Sequence, residues 1–352
     1  MQRVTALSFI GLLLLVCSWS LTSAQDDCAA GETCQPAQFG LSEAEIAVLS
    51  IAEIESLRPS NDILFDRSYR RVDGLIDIYD APNGNIISTL DAGYNFITVR
   101  TSQDGWTEIN PGEWIQSSFL AGGPTISRFA GILVPEGMQA NSIAWTLINV
   151  YPSRIPGEQP YMSNSLLYRY TQVNIYASIE VNGWTWYQVG PEQWLQQTHV
   201  AKYAPIEKSV EIDTENWISI DLYEQTAVAY EGETPVFATL IAAGLDQWPT
   251  HEGLYHIYFR RQRHTMNGGR AGYDSYYLEE VPWTMFFDEG RALHGAYWHD
   301  EFGYRHSHGC INLSLTDAHW LYRWVSEEMG SNASADIENG PAVYIYSSGE
   351  YQ

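Results

Sequence analysis

The sequence predicts a mainly β chain: two small barrels in tandem, then a larger β-rich domain with one helix late in the chain. Three observations predict it. Asp104-Gly-Trp-Thr-Glu-Ile-Asn-Pro-Gly-Glu-Trp114-Ile115 returns as Asn182-Gly-Trp-Thr-Trp-Tyr-Gln-Val-Gly-Pro-Glu-Gln-Trp194-Leu195, which marks an internal repeat. Between about residues 65 and 205, short alternating runs such as Leu75–Tyr79 and Phe96–Arg100 are cut by Asn83-Gly84 and Asp104-Gly105, the punctuation of hairpins. Beyond Lys208, alternation resumes in Trp217–Tyr223 and Pro341–Tyr346, and helical spacing of apolar residues (Ala318, Leu321, Tyr322, Val325) follows Ser314.

The 352 residues include 45 % hydrophobic and 13 % aromatic side chains, ample material for packed cores. Asp and Glu outnumber Lys and Arg by 43 to 18, giving a formal net charge of −25, and Lys202 and Lys208 are the only lysines. A polyanion would be repelled, so nucleic acid is excluded as a partner.

Residues 1–24 read as a signal peptide: Arg3, an apolar stretch from Ala6 to Val16, then the small residues Thr22-Ser23-Ala24. The apolar run falls short of the roughly 20 residues of a membrane span. A retained anchor is the alternative and would be the only membrane contact; lipidation at Cys17 is disfavoured by Val16 before it. The chain is thus expected to be exported, to a periplasm or outside the cell. Residues 25–64 form an N-terminal spacer. There Cys28 and Cys34 are expected to pair as a disulfide in an oxidising compartment, and 41–57 has helical propensity up to Pro59.

Residues 65–124 and 125–206 hold the two copies of the repeat. Trp106 and Trp184 are 78 apart, Trp114 and Trp194 80 apart, so the second copy carries a two-residue insertion. Ile76–Tyr79 and Val173–Tyr176 read as equivalent earlier strands. Both copies resemble bacterial SH3-like domains, modules common in exported wall-associated proteins. That resemblance implies wall binding; purely structural barrels are the plainer alternative.

Residues 207–347 hold the chemistry. Eight of the nine histidines fall between His251 and His319, around a lone cysteine, Cys310. Cys310 sits in Ser307-His308-Gly309-Cys310-Ile311-Asn312, just before Ser314-Leu-Thr-Asp317, which reads as a capping box with Asp in the third helical position. A thiol on a Gly-preceded turn ahead of a helix suits a nucleophile. A nearby imidazole would stabilise its thiolate or take its proton, and backbone N–H groups around 308–310 would form an oxyanion hole. On residue types alone, His299, Asp300, His306 and His308 with Cys310 also make a set of zinc ligands, though without HExxH or paired CxxC spacing.

His294-Gly295 followed by Ser307-His-Gly-Cys-Ile-Asn312 resembles the signature of the L,D-transpeptidase catalytic domain, and the resemblance runs from about 210 to 347. It implies Cys310 as nucleophile and His294 as general base, with the carbonyl of Gly295 orienting the imidazole. The backbones of His308 and Gly309 would build the oxyanion hole. Asn312 would support the loop; it and Ser307 are also candidates for substrate contact, as are Met266 and Arg263 in a mobile lid over 260–280. Pro249-Thr250-His251-Glu252-Gly253 departs from the family's usual Thr-Pro-x-Gly turn. The implied function is an exported enzyme that cross-links peptidoglycan stem peptides through a Cys310 thioester, with no cofactor and no metal. Water as acceptor would make the same thioester an L,D-carboxypeptidase; a non-catalytic wall-binding protein is the remaining alternative.

Overall fold

The computed structural model describes residues 39–49, 54–138, 142–329 and 340–349. The signal segment 1–24 and the expected Cys28–Cys34 pairing lie outside the described residues. The fold is mainly β, as expected. Among the described residues no helix is long and apolar enough to cross a membrane.

Two sheets frame the larger domain. In the first, strands run in the order Glu55–Ser56, Ile132–Leu133, Thr234–Leu240, Thr226–Glu231, Asn216–Asp221, Ala342–Tyr346, Gly253–His256. Asn216–Asp221 and Ala342–Tyr346 pair parallel; the other neighbours are antiparallel. Trp217, Ile218, Ser219, Ile220 and Asp221 are all buried. The strand is covered on both faces, and side chains on either face are removed from water. The second sheet runs Tyr69–Val72, Tyr94–Thr98, Tyr276–Asp288, Arg291–Gly295, Ile311–Leu313, with Phe259–Gly268 also on Tyr276–Asp288.

The helix Leu315–Met329 lies between these sheets. The Ser314 hydroxyl accepts the Asp317 N–H at 3.2 Å, the cap that the sequence signals. The buried Asp317 carboxylate then ties the helix to the first sheet, accepting from Thr239 Oγ1 at 2.6 Å and from the Gly131 N–H at 2.8 Å. Trp320 stacks on Phe237, and Gly295 packs so closely that an added Cβ would meet Leu315 at 3.0 Å.

Each repeat copy forms a small β unit with its own core, Val72, Ile76, Ile97, Ile109 and Ile115 in the first and Ala144, Val150, Val173, Tyr187, Leu195 and Val200 in the second. Each has a hairpin with a bulge, at Glu108/Asn110 and Gln188/Gly190, followed by a 3-10 turn at Ser117–Phe119 and Gln197–His199. The register refines the repeat. Trp106 lies opposite Gln116 and Trp186 opposite Gln196, so the partner of Trp106 is Trp186. The inserted pair is Trp184-Thr185, which lengthens the strand by one full side-chain period and keeps inside and outside unchanged. Trp106 and Trp186 are buried, whereas Trp184 is 38 % exposed.

Two further features differ from the sequence expectation. Within 41–57, the described helix is only Glu43–Ala47, capped by Ser42 and Glu45. Glu55–Ser56 and Ile132–Leu133, placed by sequence in the spacer and the second small unit, instead extend the first sheet of the larger domain.

Candidate active site

Parallel pairing of Arg291–Gly295 with Ile311–Leu313 sets Leu293 beside Ile311 and His294 beside Asn312. Register partners on parallel strands share a face, and residues two apart on one strand share a face. His294 and Asn312 therefore point to one side, and Cys310 immediately precedes the second strand. Apolar Leu293 and Ile311, both fully buried, point to the other and anchor the pair of strands.

His294 is 2 % exposed and its Nδ1 lies 3.3 Å from the Gly295 carbonyl. A carbonyl only accepts, so Nδ1 carries the proton and Nε2 keeps its lone pair. Burial pulls the imidazole down to about 4; His264 adds to that, and the Gly295 carbonyl partly offsets it. His294 is thus a neutral base at physiological pH. Cys310 is a free, half-buried thiol. Burial pushes it above the usual thiol range, opposed by the Ala292 backbone and the Arg291 guanidinium. At rest the pair is thiol and imidazole, not thiolate and imidazolium.

The loop bearing the thiol is held from within. Ser307 Oγ donates to the Cys310 carbonyl at 2.6 Å and accepts from the Gly309 N–H at 3.0 Å. Thr250 Oγ1 donates to the Gly309 carbonyl at 3.0 Å and accepts from the Gly244 N–H at 2.9 Å. Gly309 has φ +107, and a Cβ there would stand 2.8 Å from Arg291 Nε. A side chain is therefore excluded by backbone and space alike. Gly244 approaches so closely that its Cβ would meet the Gly309 Cα at 2.9 Å and the Trp248 carbonyl at 2.2 Å.

Ser307 spends its hydroxyl on the loop. The Gly309 N–H is taken by Ser307. Asn312 is 2 % exposed, with its amide 2.8 Å from His299 Nε2, a support for the loop. Arg263 is bound to Asp66 and, at 2.8 Å, to the Tyr69 hydroxyl, and lies over the Trp283 ring. Met266 pairs opposite Leu278 and packs against the main core.

The expected lid is the hairpin of Phe259–Gly268 and Tyr276–Asp288, and it is clamped. Tyr276–Leu278 pairs with Tyr94–Phe96 of the first small unit. The buried Glu279 carboxylate accepts from Thr98 Oγ1 at 2.6 Å and Asn110 Nδ2 at 2.7 Å. This places Tyr276 5.1 Å from the His308 ring, whose other neighbour is Trp248, stacked at 3.8 Å. Trp248, Thr250 and Tyr276 carry no local motif, and the sequence did not single them out as site residues.

Of the zinc set read from the sequence, His299 and His306 come together, with Glu301 as third donor within 4.8 Å. Asp300 pairs with Arg169 at 2.6 Å and His308 is stacked on Trp248. Both ring nitrogens of His299 are engaged, Nδ1 by the Glu301 N–H at 3.1 Å and Nε2 by Asn312. A metal there would have to displace one of them, so the trio fits a hydrogen-bonded support better than a metal centre.

Thr250→Val keeps the shape but leaves the Gly309 carbonyl and Gly244 N–H without their partner. It is expected to cost about 2 kcal/mol in urea unfolding; an unchanged midpoint would show the clamp to be dispensable.

Residues 215–345 match the family model of the L,D-transpeptidase catalytic domain. A Bacillus subtilis (strain 168) protein named "Putative L,D-transpeptidase YciB" is 27 % identical over 137 residues, 32 % of this chain and 61 % of that protein. The chain thus spans about three-fifths of that relative's length. Among solved structures, an L,D-transpeptidase from Stackebrandtia nassauensis is 22 % identical, covering 40 % of this chain and 58 % of its own, with TM-score 0.29. The catalytic domain of the E. faecium L,D-transpeptidase is 23 % identical, covering 38 % and 99 %, with TM-score 0.31. L,D-transpeptidase 3 from Mycobacterium tuberculosis is 18 % identical, covering 50 % and 73 %, with TM-score 0.32.

Proposed function

We propose that the chain is an exported cysteine L,D-transpeptidase that cross-links peptidoglycan stem peptides. One observation carries the reading: the parallel pairing that brings the strand following Cys310 beside the strand of a neutral His294, within the segment that matches the family model.

In the acylation step, Cys310 Sγ attacks the carbonyl that joins an L-centre to the terminal D-alanine of a tetrapeptide stem. Its proton passes to His294 Nε2 as the C–S bond forms, because the resting thiol is protonated. Negative charge builds on the carbonyl oxygen and is met by the N–H groups of His308 and Cys310. His294 then gives the proton to the departing D-alanine amine, the C–N bond breaks and a thioester remains. In the second step the side-chain amine of a diamino acid on a neighbouring stem attacks the thioester. His294 takes the amine proton, and the Cys310 thiol is released protonated.

The segment 1–24 supports export by its charge and apolar pattern, and the small β units support attachment to the wall.

Intact-protein mass spectrometry after incubation of residues 25–352 with a carbapenem tests the reading. One stoichiometric adduct is expected, absent in Cys310→Ala. No adduct on folded protein with Cys310 reduced would overturn it in favour of a non-catalytic wall-binding protein.

A further inference from the structure

The two small units share a hairpin but are not equally elaborated. In the first, Tyr69–Val72 leads to Ile76–Tyr79 through a short turn. In the second, residues 147–171 separate Ile143–Thr146 from Gln172–Asn174 and fold back over the tryptophan hairpin. Ser153 and Trp194 exchange both backbone hydrogen bonds, at 2.9 and 2.8 Å. Gly157 lies so close to Val181 that an added Cβ would meet its Cγ1 at 2.7 Å.

The excursion encloses a cavity of about 420 Å³, within the range of small-ligand pockets, lined by Trp184, Trp186 and Trp194 with Gln196, His199 and Glu158. Trp184 comes from the two-residue insertion and has no counterpart in the first unit. Trp186 is 7 % exposed, and its indole N–H is buried without a hydrogen-bond partner.

We propose that this cavity is a saccharide site that takes an N-acetylated sugar ring. Indole faces offer flat apolar platforms for the C–H face of a pyranose. Gln196, His199 and Glu158 supply polar groups around the rings for the hydroxyl and acetamido groups of such a sugar. The carboxylate of Glu158, and a chain of net charge −25, favour a neutral ligand over a stem peptide with free carboxylates. Trp184 also borders a second cavity, of about 570 Å³, that reaches Asp246 and Arg305. His306, next to Arg305, bonds the Ala243 carbonyl beside Gly244 of the acyl loop. The choice of sugar rests on the peptidoglycan reading above; the cavity does not.

Titration of residues 25–352 with chitotriose, followed by tryptophan fluorescence and calorimetry, tests this. Saturable one-to-one binding is expected, weakened at least ten-fold in Trp184→Ala. Trp186→Phe cuts the buried indole to a single ring and removes its N–H; several-fold weaker binding is expected, together with some loss of thermal stability from the volume removed. No saturable binding, equal affinity in Trp184→Ala, or displacement of the sugar by a free stem tripeptide would overturn the proposal. Carbapenem acylation of the same samples separates the two readings. An adduct without sugar binding overturns the saccharide site alone, and sugar binding without an adduct overturns the transpeptidase alone.

Discussion

His294→Gln is expected to slow acylation of Cys310 by roughly 10²–10⁴-fold at neutral pH while leaving the adduct mass unchanged. Gln retains a donor for the Gly295 carbonyl but has no basic lone pair with which to take the thiol proton. The pH dependence separates loss of the base from loss of shape. In the wild type, burial holds His294 near 4, so the base stays competent through mildly acidic pH and the rate falls only as pH drops through about 4. In the variant, only the spontaneously formed thiolate reacts. Because burial raises the Cys310 thiol, that fraction stays small at neutrality. It grows about ten-fold per pH unit below the thiol pKa, as simple titration requires. The variant rate is therefore expected to climb toward the wild-type rate in alkali. Stopped-flow measurement of acylation from pH 4 to 10 checks this; a variant rate that is low but independent of pH would show that His294 acts through packing.

The residues legible in the sequence are those whose chemistry is written locally. Cys310, His294 and Gly295 stand in two short blocks, and parallel pairing sets the strand of His294 and Gly295 beside the strand that follows Cys310. The cap at Ser314 is likewise a four-residue signal. Residues supplied from a distance were not legible. Thr250 reaches Gly309 across 59 positions, and Tyr276 reaches His308 because its strand is extended by the first small unit. The setting of Arg263 and Met266 was not legible for the same reason: their hairpin is paired to Tyr94–Phe96, and the arginine bonds Asp66 and Tyr69. Ser307 shows a subtler failure, since a hydroxyl beside a nucleophile serves equally well to bind substrate or to close the turn, and only geometry separates the two. In the repeat, counting from the hairpin turn pairs Trp106 with Trp184, whereas counting from the bulge pairs it with Trp186. Cross-strand hydrogen bonds decide for the bulge.

Stability between pH 4 and 6.5 is expected to reflect two buried groups that oppose each other. His294 is held at about 4 against an ordinary 6.5, so the unfolded chain binds the proton more readily. Its contribution is fully present above 6.5 and is lost as pH falls toward 4, about 3 kcal/mol from a shift of that size. Asp317 is pushed up to about 6 from 3.8 by burial, with Thr239 and Gly131 only partly offsetting it. Here the folded chain binds the proton more readily. The contribution is fully present below 3.8 and is lost as pH rises through 6, again about 3 kcal/mol. The two slopes have opposite signs over nearly the same window. Urea unfolding of the wild type, His294→Gln and Asp317→Asn at pH 4, 5, 6 and 7 isolates each as a difference, which removes the titration common to all three. Relative to the wild type, His294→Gln should gain about 3 kcal/mol on going from pH 6.5 to 4, because the wild type alone loses that amount. Asp317→Asn should change the other way, losing relative stability as pH falls, because its amide cannot take the proton that protects the wild type. Parallel curves for all three proteins would show that neither group is desolvated as its burial implies, and the neutral state assigned to His294 at the active site would fall with that result.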